Sequence, residues 1–382
     1  MKFRYSKILC TIAVLIGMGP QARSLPTMIR LGYTNCSTCH ISPQGGGLLN
    51  AYGRGIDQAQ SLRGGDYKPA EGKWLRFFTW DHRITEDVRS VTQEQIASTT
   101  GKPGTQILRS RLMYRNATDL GSGVRFSMTL TAENENVLRP TFPYDHPTKT
   151  GTLFLNTSLL SYRPKGNLEI AAGRDQLPNG INIPDLGVFV RSRNRSGYYD
   201  SLTQVKIFWW GKRYLITPYA FGPGGNEQTG ERESGGGALA EVDPFGHQHT
   251  VFGMNLLRAT SRSRDRTLIG PYARLGFGSW GVLAEHDITN YAAGAKFGAL
   301  QQRTTYGQLF WYPKEWLLTS IGGERLGVDV PFKQELNAAR FDVSARIASQ
   351  ATIGFTLRVQ HDPLSGRTVR SLALNVALKT VT

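Results

Sequence analysis

The 382-residue chain is short of three things: cysteine, with only 3 residues; acidic side chains, 29 against 45 basic ones; and long apolar runs. Three cysteines cannot staple a disulfide scaffold of this length. The only apolar run of consequence, residues 8–18, is too short for a bilayer-spanning helix, which needs about 17–25 residues. A helical membrane protein is therefore excluded. So is a disordered chain, because 40% of the residues are hydrophobic and 10% aromatic. The shortage of acids leaves a formal charge of +16, which calls for an anionic counterpart. Either one or two soluble domains remain, or a protein that meets lipid without apolar runs.

The amino terminus narrows the choice. Lys2, Arg4 and Lys7 precede the apolar run, and Ala22-Arg23-Ser24 offers a small-x-small cleavage site. This pattern predicts a secretory signal peptide over residues 1–24, discarded together with Cys10. An exported basic protein is not expected to bind nucleic acid. Membrane headgroups, anionic solutes or an anionic cofactor are the expected counterparts.

Both remaining cysteines fall in Cys36-Ser37-Thr38-Cys39-His40. C-x-x-C-H is the spacing of covalent haem c attachment: two thiols add to the two vinyl groups of one porphyrin, and the histidine ligates the iron. Zinc would want a second Cys or His pair, and none follows within the next forty residues. A redox C-x-x-C would want a thioredoxin-like βαβ context, which is absent. Export, the absence of other mature cysteines and the adjoining histidine favour haem. Gly45, Gly46 and Gly47 would let backbone lie close to a flat cofactor. Residues 48–60 read as a short helix whose Leu48, Leu49 and Tyr52 would cover the porphyrin, with Arg54 as a propionate partner. No Met or His occurs between His40 and Trp74. The distal iron ligand is therefore expected from elsewhere: Met113 first, then Met28 and His82. A segment of this size, residues 25–73, cannot build its own core, so the following domain must shelter it.

From Trp74 onward the chain breaks into segments of about ten residues with period-two alternation, the pattern of antiparallel sheet with one apolar face. Ile353, Phe355, Leu357 and Val359 alternate with small or polar residues. Arg109, Arg111, Met113 and Arg115 share the opposite parity from Leu108, Leu112 and Tyr114. Six of the seven tryptophans (Trp74, Trp209, Trp210, Trp280, Trp311 and Trp316) stand at segment ends, as in the aromatic girdle of a membrane barrel. Short turns near 118–122, 164–166, 210–212, 278–279, 313–315 and 348–350 alternate with long polar connections. The prediction is an all-β fold: a transmembrane antiparallel β-barrel of about sixteen strands over residues 74–382, fourteen being the nearest alternative. It is preceded by a short α-helical haem c segment. Parity requires a strand at 237–243, and the Asp175–Gly180 stretch belongs to an external loop that either folds inward or stays on the surface.

Cys36, Cys39 and His40, then Pro43 and the run Leu49-Asn50-Ala51-Tyr52-Gly53-Arg54, resemble the fused monohaem cytochrome–porin family of the outer membrane. The likeness covers about residues 25–62. It implies one covalent haem c, bound through Cys36 and Cys39 and ligated by His40, plugged at the periplasmic mouth or inside the barrel. It also implies electron transfer across the outer membrane between a periplasmic carrier, such as a soluble cytochrome, and an extracellular donor or acceptor. Iron is the substrate of the family's best-known members, so Fe(II) oxidase activity is one expectation. Two other functions fit the sequence: a diffusion porin for small anionic solutes with a haem-bearing plug, and an enzyme acting on peroxide or an oxyanion at an open iron site.

Overall fold

Alternating side chains leave an extended segment with one lipid-compatible face and one polar face, and closing the sheet removes its edges. A computed structural model shows this closure. It describes residues 26–44, 49–62, 78–90, 105–133, 138–139, 148–149, 153–183, 188–197, 200–224, 232–247, 249–262, 264–293, 298–329, 333–348 and 351–381. The signal peptide, Gly45–47, Leu48, Trp74 and His146 lie outside the described residues. So do the side chains of His82, Arg109 and Arg111.

The barrel strands are β1 (Phe78–Ser90), β2 (Thr105–Gly121), β3 (Val124–Glu133), β4 (Leu153–Lys165), β5 (Leu168–Asp175) and β6 (Leu202–Trp210). They continue with β7 (Tyr214–Gly222), β8 (Ser234–Val242), β9 (Thr250–Thr260), β10 (Asp265–Phe277) and β11 (Trp280–Tyr291). The last five are β12 (Leu300–Lys314), β13 (Leu317–Val328), β14 (Gln334–Ala348), β15 (Ala351–Asp362) and β16 (Arg367–Val381). Each pairs antiparallel with its sequence neighbour, and β1 closes on β16 from Thr79↔Val381 to Ser90↔Arg370. The predicted strand at 237–243 is β8, paired with β7 and β9. The number of strands is the sixteen expected.

Alternation is clearest in β6. Thr203, Val205, Ile207 and Trp209 face outward, while Leu202, Gln204, Lys206, Phe208 and Trp210 are buried inside. Ile353, Phe355, Leu357, Leu372 and Leu374 also lie outward. Trp209, Trp280 and Trp311 form part of a girdle at the short-turn end. Trp280 and Trp311 are register partners and stack at 5.1 Å between centroids, and Trp209 meets Tyr214 edge-on at 5.4 Å. Trp210 departs from the girdle. It follows Trp209 directly, so the pleat turns it inward, where the Arg163 guanidinium lies 5.3 Å from its ring. Such a closed barrel with an apolar outward belt is a transmembrane structure.

Of the arginines given the inward parity by the sequence, Arg115 has a described side chain and is buried; several other interior cations are matched with acids. Arg266 pairs with Glu233 at 2.7 Å, Arg274 with Glu241 at 2.7 Å, and buried Lys206 with Asp175 at 2.6 Å. Outside, charge is unwelcome. Leu256, near the middle of β9 and 47% exposed, lies beside its register partner Ile269. Leu256→Arg should cost about 2–4 kcal/mol if this site sits at the bilayer midplane, read as a lower urea midpoint for unfolding from lipid vesicles.

The described residues of the connection from β5 to β6 (176–183, 188–197 and 200–201) fold into the lumen, resolving the choice left open by the sequence. Leu177, Ile181, Val188, Phe189 and Val190 are buried. The wall holds the loop through its backbone: Ile181 N donates to Glu285 Oε2 at 2.9 Å, Phe189 N to Glu324 Oε2 at 2.8 Å, and Arg266 Nη1 to Asn194 O at 2.8 Å.

Candidate cofactor site

The segment before the barrel lies inside its short-turn end, the periplasmic end in outer-membrane barrels. A 3₁₀ turn, Pro26–Leu31, packs on β10 and β11. The approach is close: a Cβ at Gly276 would lie 2.5 Å from Arg30 Cα. Thr27 shares a 2.8 Å hydrogen bond with Tyr312, and Arg30 pairs with Glu315 while its guanidinium lies 4.0 Å from the Tyr312 ring centroid. His249 Nδ1 meets Ile29 O at 3.1 Å. This contact joins residues 220 positions apart, which no local pattern encodes.

The C-x-x-C-H stretch begins with a 3₁₀ turn at Cys36–Thr38, capped by Asn35, whose Oδ1 accepts from Ser37 N at 2.9 Å. His40 N donates to Cys36 O at 2.9 Å, and His40 forms a β-bridge with Leu49. The helix after it, α1, spans Ala51–Ala59, shorter at its start than the predicted 48–60. Asn50 caps it by accepting from Gly53 N at 2.9 Å, and Asn50 Nδ2 donates to Thr38 O at 3.0 Å. One residue thus ties the helix to the motif. Gly53 completes the joint, since a Cβ there would sit 2.1 Å from Cys39 O and 2.9 Å from Cys39 Cα. Backbone at that distance cannot yield as a flexible side chain does. Gly53→Ala should therefore displace the motif and, if the motif carries the haem expected from sequence, lower covalent haem content at least several-fold, read from haem absorbance per protein.

Cys36, Cys39, His40 and Met28 border one cleft of about 820 Å³, part of it open to solvent. Phe208, Leu215 and Leu239 of the wall add apolar surface, and residues 178–182 with Arg191 of the inward loop close it above. His40, Cys39 and Met28 are 3%, 5% and 7% exposed, and the two cysteines are unbridged. Burial pushes the Cys39 thiol up to about 11, the neighbouring Cys36 adding to it. Burial also raises Cys36, against the opposing pull of Arg274. Both sulfurs are thus held as neutral thiols at neutral pH. Among the described residues no three His, Cys, Asp or Glu side chains converge into a metal-holding group. Two thiols, a buried imidazole, a thioether and apolar walls are what a covalently held haem requires.

Three expected site residues lie elsewhere. Tyr52 is 51% exposed and shares a 2.7 Å hydrogen bond with Tyr33, because α1 turns this face outward. That bond, with burial, pushes Tyr33 up to about 12. Arg54 donates to Leu49 O at 3.2 Å at its own helix start. Neither borders the cleft. Met113 does face inward, as its parity predicts, and is fully buried, but in the wall, 3.6 Å from Arg115 Nη2. It too is absent from the cleft lining, and Met28 is the thioether found there.

Fold and belt together define a transmembrane β-barrel of the outer-membrane porin type, which sets its location in the outer membrane. No protein-family model and no curated protein matches the chain. Among solved structures it is similar to OprB of Pseudomonas putida, with TM-score 0.59, 11% identity, and coverage of 80% of this chain and 94% of that one. It is also similar to the anion-selective porin from Comamonas acidovorans, with TM-score 0.58, 12% identity, and 79% and 99% coverage. A loop-deletion mutant of OmpT from Vibrio cholerae gives TM-score 0.58, 8% identity, and 79% and 98% coverage. At these identities the likeness is one of fold.

Proposed function

We propose that the protein is a porin-type barrel that carries one covalent haem c and moves electrons across the outer membrane. The observation that carries this reading is the grouping of Cys36, Cys39 and His40 on a single cleft inside the lumen. Haem supplies a one-electron carrier, iron cycling between its ferrous and ferric states. Cys36 and Cys39 would hold it covalently, so that it could not leave through the pore, and His40 would ligate the iron. Met28, the thioether on the cleft, would be the second donor in place of Met113. Phe208, Leu215, Leu239 and Ile181 would keep water from the ring. Arg191 and Arg274, both on the cleft, disfavour added positive charge at iron and so raise the reduction potential. The partners on this reading are a periplasmic electron carrier and an extracellular donor or acceptor, with iron as one such donor.

A haem-stained gel and a pyridine haemochrome spectrum of purified outer membranes test the proposal. One haem per chain is expected, and a protein free of covalent haem overturns it. The distal assignment has its own check: Met28→Ala should bind CO rapidly in the reduced state, whereas Met113→Ala should keep the parent spectrum. A spectrum lost in Met113→Ala and kept in Met28→Ala would reverse the assignment.

A second reading, a diffusion pore for small anions, is favoured by the likeness to an anion-selective porin. It expects high solute conductance in planar bilayers whether or not haem is bound.

A further inference from the structure

We infer that the roof of the cleft is a carboxylate-receiving site built from Arg191, Asn179 and Thr217. The wall strands supply one matched polar set to the cleft: Arg274 pairs with Glu241 at 2.7 Å, and Tyr272 donates to the same Glu241 at 2.7 Å. In that set the cation already has its carboxylate. The roof differs. Arg191 is 3% exposed, and among the described residues its guanidinium donates only to neutral oxygens, Asn179 O at 2.6 Å and Gln176 Oε1 at 3.5 Å. No described carboxylate lies within ion-pair distance of it, while Glu285 and Asp287 act on it at longer range.

Asn179 is 5% exposed. Its Oδ1 accepts from Tyr219 at 2.7 Å, but among the described residues its buried Nδ2 has no acceptor. Thr217 is fully buried, and its Oγ1 has no hydrogen-bond partner among the described residues. All three residues border the cleft. Buried donors left unmet are rare and cost about 1–3 kcal/mol each. An amide donor and a hydroxyl call for an acceptor, and the buried cation beside them favours one with negative charge. A carboxylate fits, with two oxygens and about four lone-pair sites.

Two sources supply that chemistry: the propionates of a haem fixed by Cys36 and Cys39, or a small free carboxylate in the lumen. The first rests on the haem reading above; the second does not. It also moves the propionate partner from Arg54, expected from sequence, to Arg191.

The test uses the full-length protein as wild type, Arg191→Gln, Arg191→Lys and the neutral pair Asn179→Leu/Thr217→Val, each first shown to be folded by heat-modifiable gel migration. For the haem-loaded protein the readouts are midpoint potential against pH and the propionate modes in resonance Raman. R191Q should shift the potential down, R191K should restore most of it, and N179L/T217V should shift the propionate modes and the pH dependence. For the protein without haem, made as C36A/C39A, succinate is the probe, followed by calorimetric titration. Succinate binding lost at least tenfold in R191Q identifies a free-carboxylate site. If the wild type carries no haem, the cofactor reading fails alone, and succinate binding still decides the site. Unchanged potentials and Raman modes in all variants, together with no succinate binding, overturn the inference.

Discussion

Replacing Cys36 and Cys39 together by alanine is expected to abolish covalent haem while leaving the barrel folded. The separation of the two effects follows from packing. Among the buried apolar residues described, Cys39 clusters with Leu49, apart from the three clusters of the barrel interior. The ladder from β1 to β16 contains neither cysteine. Removing two sulfurs should therefore cost the barrel about 1 kcal/mol or less, the scale of small core truncations. Cofactor retention, by contrast, depends wholly on the thioether bonds. Single variants keep one bond and should hold an intermediate, partly extractable haem content. The measurement is haemochrome absorbance per protein after acid-acetone extraction, beside heat-modifiable migration. Full haem content in the double variant would show that the motif does not bind haem covalently. An unfolded barrel would show that the plug is a folding element.

The barrel was legible because its signals are local. Alternation, short turns and the parity of Met113 and Arg115 each occupy one segment, and the pleat converts them directly into inward and outward faces. The same rule shows why Trp210 was misjudged: proximity to a turn says nothing about which of two adjacent residues faces lipid. The motif Cys36-x-x-Cys39-His40 was legible for the same local reason. Its surroundings were not. Arg54 and Tyr52 were assigned by nearness in sequence, yet the groups that close the cleft come from β6, β7, β8 and β10 and from a loop around Arg191. These contacts span more than a hundred residues, and nothing in a single sequence records them. Gly53 had a stronger signal than was used. A glycine inside a helix is costly, and here the cost admits the Cys39 carbonyl.

Releasing the plug should open the pore. Residues 26–62 are held at the short-turn end by anchors on both sides. On one side Arg30 is almost fully buried and engages Glu315 and the Tyr312 ring. On the other, Arg346 reaches Asp57 at 3.3 Å and Gln60 Oε1 at 3.1 Å, and its carbonyl accepts from Leu62 N at 2.8 Å. Between them Gln44 Oε1 accepts from Lys206 at 2.8 Å, and Arg274 donates to Thr34 O at 3.2 Å. Removing one partner of a buried pair costs about 3–5 kcal/mol. The Arg346–Asp57 pair, with side chains 10% and 6% exposed, falls in that class; Glu315 is 58% exposed, so the Arg30 pair is worth less. Arg30→Ala/Arg346→Ala should thus shift the plug toward release without touching the strand ladder. In planar bilayers the wild type is expected to show low, steady conductance, the double variant intermittent openings, and deletion of residues 26–62 a several-fold larger open level. Equal conductance in all three would mean that the loop at 176–201 alone limits the lumen. A wild type already as open as the deletion would favour the diffusion pore, because a closed wild-type lumen is what an electron conduit needs and a solute pore cannot tolerate.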